Sequence, residues 1–263
     1  MSREEDLRRI EAALQVAHKV VGRFTPGDVE HRLKEGGDPV TEADVAINEA
    51  LQRLLPRPGE GWLSEETADS DERLTRERLW VVDPLDGTKE FVGGIPEWCI
   101  SVGLVEDGQA VAGGICIPAR EMIVLGAVGE GVSVDGVPSG VRPLDRLDGV
   151  EILASRSEVK RGEWERFGSA PFEVRPMGSV AAKMALVAAG RADATWTLVP
   201  KHEWDVAAGT ALVLAAGGDV WTLDGGAPRF NQRRPLFDGL YAAPAGLRAS
   251  IEDYFSKTPA GDN

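Results

Sequence analysis

Apolar residues recur every three or four positions from residue 3 to residue 23: Leu7, Ile10, Leu14, Ala17, Val20 and Val21, with charges between them. That period marks one face of an α-helix, and RFTPGD ends it. A second helix follows GGDPVTEAD: Thr41 suits an N-cap, Asp44 stands three residues on as in a capping box, and Val45, Ala46, Ile47, Ala50, Leu51, Leu54 and Leu55 form the stripe. LPRPGEG closes it, GWLSEET makes a short apolar approach to Glu65 and Glu66, and ADSDERLTRER reads as a solvated excursion. From LWVV onward the pattern changes to short apolar runs. WCISVGLVEDGQAVAGGICIPA reads as two strands joined at the EDG turn, and EMIVLGAVGEGVSVDGVP as further strands with Gly turns, together an antiparallel meander.

Near residue 143 the character shifts again. GVEILAS reads as a strand, VKRGEWERF as a helix, VRPMGSVAAKMALVAAGRADATW as a turn, a helix and the start of a strand. HEWDVAAGTALVLAAGGDVWTL reads as a helix ending at Gly217 and Gly218, then a strand. Strands alternating with helices indicate α/β organisation. The expectation is an α+β half over 1–143 and an α/β half over 144–263, with a ligand cleft between them.

Charge narrows the function. A net charge of −14 and a pI near 4.8 argue against a nucleic-acid polymer or an anionic membrane as partner, since both need a basic face. An acidic chain that binds an anion needs local help, and a metal ion is the usual source. Cys99 and Cys116 sit in apolar surroundings and make no disulfide framework; buried thiols in a reducing cytosol are expected. The charged MSREEDLRRIEAAL start shows no signal peptide, and no run reaches the ~20 apolar residues of a membrane span, so a cytoplasmic protein is expected.

The candidate chemistry lies in VVDPLDGTKEF, residues 81–91, where two carboxylates follow an apolar run. Asp83 and Asp86 suit a turn shaped by Pro84 and Gly87; Asp205 suits an N-cap; Asp44 suits a capping box. With Glu65 they also suit Mg2+, which takes oxygen ligands. Two such ions about 3.5–4 Å apart clamp a displacement at phosphorus and need several carboxylates on rigid element ends. The Leu85 carbonyl can supply another oxygen, and Gly87 and Thr88 open a helical turn whose N–H groups suit an anion. DPLDG lacks the alternating acids of an EF-hand, and GAVGEG lacks the glycine spacing of a dinucleotide loop.

DPLDGT after an apolar strand, SEE upstream, WDVAAG downstream and DPVTEAD near the start resemble the inositol monophosphatase superfamily of Mg2+-dependent, lithium-sensitive phosphatases, over about residues 5–245. The resemblance implies a layered αβαβα sugar-phosphatase fold. It implies that Glu65, Asp83 and the Leu85 carbonyl hold one Mg2+, that Asp83, Asp86 and Asp205 hold a second, and that Glu65 holds a third through water. It implies that Thr88, hydrogen-bonded to Asp44, deprotonates the attacking water while the Gly87 and Thr88 N–H groups hold phosphate oxygens. Family members are commonly homodimers, so a homodimer is expected.

Within that family DGTKEF, GSVAAK (178–183) and ASRSE (154–158) are similar to the CysQ branch, which removes the 3′-phosphate of adenosine 3′,5′-bisphosphate. Lys89, Ser155, Arg156 and Lys183 are then the substrate-side residues, the cations meeting a second phosphate. Each has a plainer alternative: a solvated Lys89, an N-cap at Ser155, a snorkelling Lys183. HEWDVAAG also suits inositol phosphatases. The expected activity is a phosphomonoesterase acting on a small phosphate ester; the alternatives are an inositol-1-monophosphatase, a fructose-1,6-bisphosphatase-like enzyme, or a non-catalytic phosphate sensor.

Overall fold

The computed structural model describes residues 2–34, 37 and 39–257. The helical period of the N-terminus becomes α1 (Arg3–Val21), whose Ser2 hydroxyl accepts from the Glu5 N–H. A short hairpin, β1 (His31–Leu33) and β2 (Pro39–Thr41), leads into α2 (Glu42–Leu54). The capping box at its start is present: the Thr41 hydroxyl accepts from the Ala43 and Asp44 N–H groups, and Asp44 Oδ2 accepts from the Thr41 N–H at 2.8 Å. Asp38, the first residue of DPVTEAD, lies outside the described residues.

The meander forms a seven-stranded sheet: β3 (Gly61–Ser64), β4 (Arg78–Asp86), then past the short α3 (Thr88–Val92), β5 (Cys99–Glu106), β6 (Gln109–Ile117), β7 (Met122–Ala127), β8 (Gly131–Val134) and β9 (Val137–Ser139) in that spatial order. The β3–β4 pairing is parallel and the others are antiparallel. The C-terminal part runs β10 (Glu151–Ser155), α4 (Arg156–Lys160), β11 (Glu173–Met177), α5 (Val180–Ala188), β12 (Ala194–Thr197), β13 (Lys201–His202), α6 (Glu203–Ala215), β14 (Gly218–Thr222), β15 (Leu236–Phe237), β16 (Leu240–Pro244) and α7 (Arg248–Lys257). Its main sheet has the order β11-β10-β12-β16-β14, and β13 pairs with β15 apart from it.

Three hydrophobic clusters hold five layers together, the middle one filling both faces of the central helical layer. The first packs α1 and α2 on one face of the large sheet, through Ile10, Leu14, Ile47 and Leu51 against Trp80, Val82, Val102 and Leu104. The second places α5 and α6 between the two sheets. The third covers the outer face of the smaller sheet with an aromatic group of Trp164, Phe167, Phe172, Trp196 and Tyr241, joined by Phe255 of α7. This is the αβαβα layering. The middle layer sits close because the sheet offers glycine: a Cβ on Gly113 would fall 2.5 Å from the Ala208 carbonyl oxygen, and one on Gly103 would fall 2.9 Å from the Ala208 nitrogen. WDVAAG is therefore a packing motif.

The structure departs from the sequence expectations at three places. VRPM is strand β11, not a turn. VKRGEWERF is not one helix: α4 begins earlier, at Arg156, Gly162 takes a left-handed φ of +82°, and a single 3-10 turn follows at Glu165–Phe167. ADSDERLTRER is not merely solvated. It holds a 3-10 helix, Asp71–Thr75, whose Arg73 is 3% exposed, pairs with Asp69 at 2.6 Å and donates to the Gln232 carbonyl at 2.9 Å. Cys99 and Cys116 are free and buried, and burial pushes the Cys116 thiol up to about 12. Among the described residues no helix is long and apolar enough to cross a membrane.

Candidate active site

Strand β4 ends in the site. Its register against β5 shifts between Asp83 and Asp86, and such an irregularity re-aims side chains. The Leu85 N–H donates to Asp83 Oδ1 at 3.0 Å, an Asx turn around Pro84. Gly87 then takes a φ of +96°; a Cβ there would fall 2.8 Å from the Glu97 carbonyl oxygen, so the turn is open only to glycine. Thr88 starts α3, with its hydroxyl 3.0 Å from the Leu85 carbonyl and 3.1 Å from Asp44 Oδ1. The same Asp44 caps α2 through its other oxygen, so one buried carboxylate joins helix start and site.

Two further acids arrive from neighbouring elements. The parallel register of β3 sets Ser64 beside Val82, which brings Glu65 next to Asp83. Asp205 is in the first turn of α6; His202 is the N-cap, and its N–H donates to Asp205 Oδ2 at 2.8 Å. Glu65, Asp83, Leu85, Asp86, Gly87, Thr88, Lys89, Ser155, Arg156, Lys183 and Asp205 line one cavity of about 230 Å³. Asp44 stands behind it, reaching it through Thr88.

The electrostatics of this cavity call for cations. Burial, then the charges of Glu65, Asp86 and Asp205, push the Asp83 carboxyl well above the usual carboxylate range. Burial, then Asp86 and Glu65, do the same to Asp205. Burial also raises Glu65 against the pull of Lys34, Asp86 against the hydrogen bonds of Ser179 and Ala181, and Asp44 against those of Thr41. In this arrangement no three His, Cys, Asp or Glu side chains among the described residues converge on one ion. Lys34 pairs with Glu65 at 2.8 Å and also with Glu66, and Asp86 Oδ2 is held by the Ser179 hydroxyl at 2.6 Å and the Ala181 N–H at 2.7 Å. The donor set itself, hard oxygens that repel one another in one cavity, fits Mg2+.

The opposite wall carries the cations. Lys183, on α5, is only 2% exposed, and burial, with Lys201 adding to it, lowers its ammonium to about 8. It is buried rather than snorkelling. Lys201 lines the same cavity and was not singled out in the sequence; its two-residue strand shows no period, and only its place just before HEWDVAAG hints at it. Lys89 is exposed. Ser155 is the N-cap of α4 and lines the cavity too. Arg156 lines it but pairs with Glu97 at 2.5 Å. Lys34, Glu97 and Ser179 were also missed; for Ser179 the usable signal was a hydroxyl just before an apolar helical run.

A profile of the inositol monophosphatase family matches residues 3–255. The chain is 34% identical over 229 residues to an inositol-1-monophosphatase of Mesorhizobium japonicum, covering 82% of this chain and 85% of that one. It is 35% identical over 221 residues to a histidinol-phosphatase of Mycobacterium tuberculosis, covering 77% and 81%. The crystal structure of CysQ from Bacteroides thetaiotaomicron, a bacterial member of the same family, matches with a TM-score of 0.77 at 28% identity, over 92% of this chain and 98% of that one.

Proposed function

The chain belongs to the inositol monophosphatase family of phosphatases, and from that premise we propose that it is a Mg2+-dependent phosphomonoesterase that removes the 3′-phosphate of adenosine 3′,5′-bisphosphate. The observation that carries the phosphatase reading is the Asp44–Thr88 contact at 3.1 Å beside the four carboxylates that line the cavity. Glu65, Asp83, the Leu85 carbonyl, Asp86 and Asp205 would hold two or three Mg2+ ions, which when bound offset the phosphate charge and make a water easier to deprotonate.

The residues of the chain supply the rest. The Thr88 hydroxyl orients the attacking water and accepts its proton while passing its own to Asp44, whose buried carboxyl has a raised proton affinity suited to the task. The Gly87 and Thr88 N–H groups hold phosphate oxygens of the scissile group. Lys183 and Lys201 meet the second phosphate, because neither has a carboxylate within ion-pairing distance among the described residues and both line the cavity. Lys89 and Ser155 stand at the same wall. The proposed assembly is a homodimer, which sedimentation of the purified protein checks.

A second reading, a monophosphatase acting on inositol 1-phosphate or a sugar bisphosphatase acting on fructose 1,6-bisphosphate, draws on the 34% identity to the Mesorhizobium enzyme. The deciding experiment compares kcat/KM for adenosine 3′,5′-bisphosphate, inositol 1-phosphate, fructose 1,6-bisphosphate and histidinol phosphate in Mg2+. The nucleotide is expected to lead; a preference of about tenfold for any other ester would overturn the substrate assignment. Phosphate release that disappears in Asp83→Asn and in EDTA separates an enzyme from a non-catalytic phosphate sensor.

A further inference from the structure

Arg156, at the start of α4, and Glu97, between α3 and β5, tie the two sides of the cleft together. The guanidinium holds the Glu97 carboxylate through Nε to Oε2 at 3.1 Å and through Nη2 to Oε1 and Oε2 at 2.6 and 2.5 Å. The same Oε2 accepts from the Gly178 N–H at 2.7 Å. Gly178 packs against the Glu90 side chain: a Cβ there would fall 2.5 Å from Glu90 Cδ, so Glu90 would have to move to admit one. The next residue, Ser179, has a φ of +59°, a conformation that a residue with a side chain holds only where its surroundings impose it.

That conformation delivers two donors to one carboxylate oxygen. From it the Ser179 hydroxyl donates to Asp86 Oδ2 at 2.6 Å and accepts from the Ala182 N–H at 3.0 Å, while the Ala181 N–H donates to the same Asp86 oxygen at 2.7 Å. Asp86 Oδ1 accepts no hydrogen bond among the described residues. A second tie runs through the backbone: the Glu97 carbonyl lies against Gly87, the residue after Asp86. Glu97 thus touches both the turn that carries Asp86 and the turn that restrains it.

We infer that Glu97, oriented by Arg156, is a positioning residue for Asp86, fixing the Gly178–Ser179 turn so that Oδ2 is held and Oδ1 is presented to a cation, and that Arg156 serves this relay rather than the substrate. The Arg156 and Glu97 side chains are 40% and 20% exposed, so the ion pair is partly screened; its part is to set direction, which a forked, charge-assisted contact does well. Groups that orient a metal ligand affect metal affinity before they affect anything else.

The inference rests on the reading of Asp86 as a cation ligand, so the test includes Asp86→Asn. Mn2+ binding is followed by the electron paramagnetic resonance signal of the free ion, in the whole protein and in Glu97→Ala, Glu97→Gln and Arg156→Gln. The Mg2+ concentration for half-maximal activity and the substrate KM at saturating Mg2+ are measured alongside. Glu97→Ala and Arg156→Gln are expected to weaken Mn2+ binding about tenfold and to raise the Mg2+ requirement equally, with substrate KM unchanged. Glu97→Gln, which keeps an acceptor for the Gly178 N–H, is expected to lose less. Wild-type Mn2+ binding in Glu97→Ala, with Asp86→Asn impaired, would overturn the inference and leave the metal reading standing. So would an Arg156→Gln protein with a raised substrate KM and wild-type Mn2+ binding. Unchanged binding in Asp86→Asn would overturn the metal reading and the inference with it.

Discussion

Thr88 has one hydroxyl and two acceptors within reach, the Leu85 carbonyl and Asp44 Oδ1. Thr88→Val keeps the shape and removes the hydroxyl. At saturating Mg2+ it is expected to lower kcat about a hundredfold or more, with little change in substrate KM, as measured by steady-state kinetics. Lys183 makes a pH prediction. Its folded value of about 8 lies below its ordinary 10.5, so below pH 8 both folded and unfolded chains hold the proton and the cost of burying the charge is fully present. Between the two values the unfolded chain binds more protons, and stability therefore rises with pH across that window. Lys183→Met should flatten the rise in denaturant titrations, and, on the proposed substrate role, should also abolish an increase in KM expected above about pH 8. At this scale the capping pair Thr41–Asp44 and the DPLDGT turn were legible, because capping and Asx rules are local. Lys201 and Glu97 were not, because each gains its meaning from a contact made only after the sheets are stacked, as with Gly178 and Glu97, which are bonded across 81 positions.

Helix α6 shows how an element sets the position of a proposed metal ligand. Asp205 rides on its first turn, and the helix sits as low as Gly103 and Gly113 allow. Gly113→Ala would drive a methyl group into the Ala208 backbone. It is expected to cost about 1–3 kcal/mol in chemical denaturation and to weaken Mg2+ activation by lifting Asp205 away from Asp83. The elements α1 and α2 were readable because each buries one continuous face, and α5, α6 and the β5–β6 hairpin because they are apolar runs, buried on nearly every side, bounded by turn residues. Strand β11 was not: it lies at the edge of its sheet, contains Pro176, and buries only Met177, so it has no alternation to read. The break in VKRGEWERF had a signal in Gly162, which the helical spacing of its neighbours outweighed.

For the molecule as a whole, the proposed metal site would link cation binding to stability. Mg2+ held by the folded chain and not by the unfolded one is expected to raise Tm, adding about 2.7 kcal/mol of stability at a hundred times its Kd. EDTA should reverse this. The raised carboxyls of Asp83 and Asp205 make protons the competitors, so the gain should shrink as pH falls toward the ordinary carboxylate range, which calorimetric scans with and without Mg2+ would show. The layering was legible from the family resemblance rather than from the pattern of elements, since a run of strands followed by alternating strands and helices fits several stackings. One detail of the hairpin bears on how the ion arrives. Lys34 already sits on Glu65 and Glu66, and although burial works against its charge, those two carboxylates raise its proton affinity. On the proposed reading cation uptake is an exchange, in which a tethered ammonium of high effective concentration must leave before an ion from solution can enter. The chain would then carry its own competitive inhibitor of loading. Lys34→Met should need less Mg2+ for half-maximal activity, and metal loading should speed hydrogen exchange in the β1–β2 hairpin as that tether lets go.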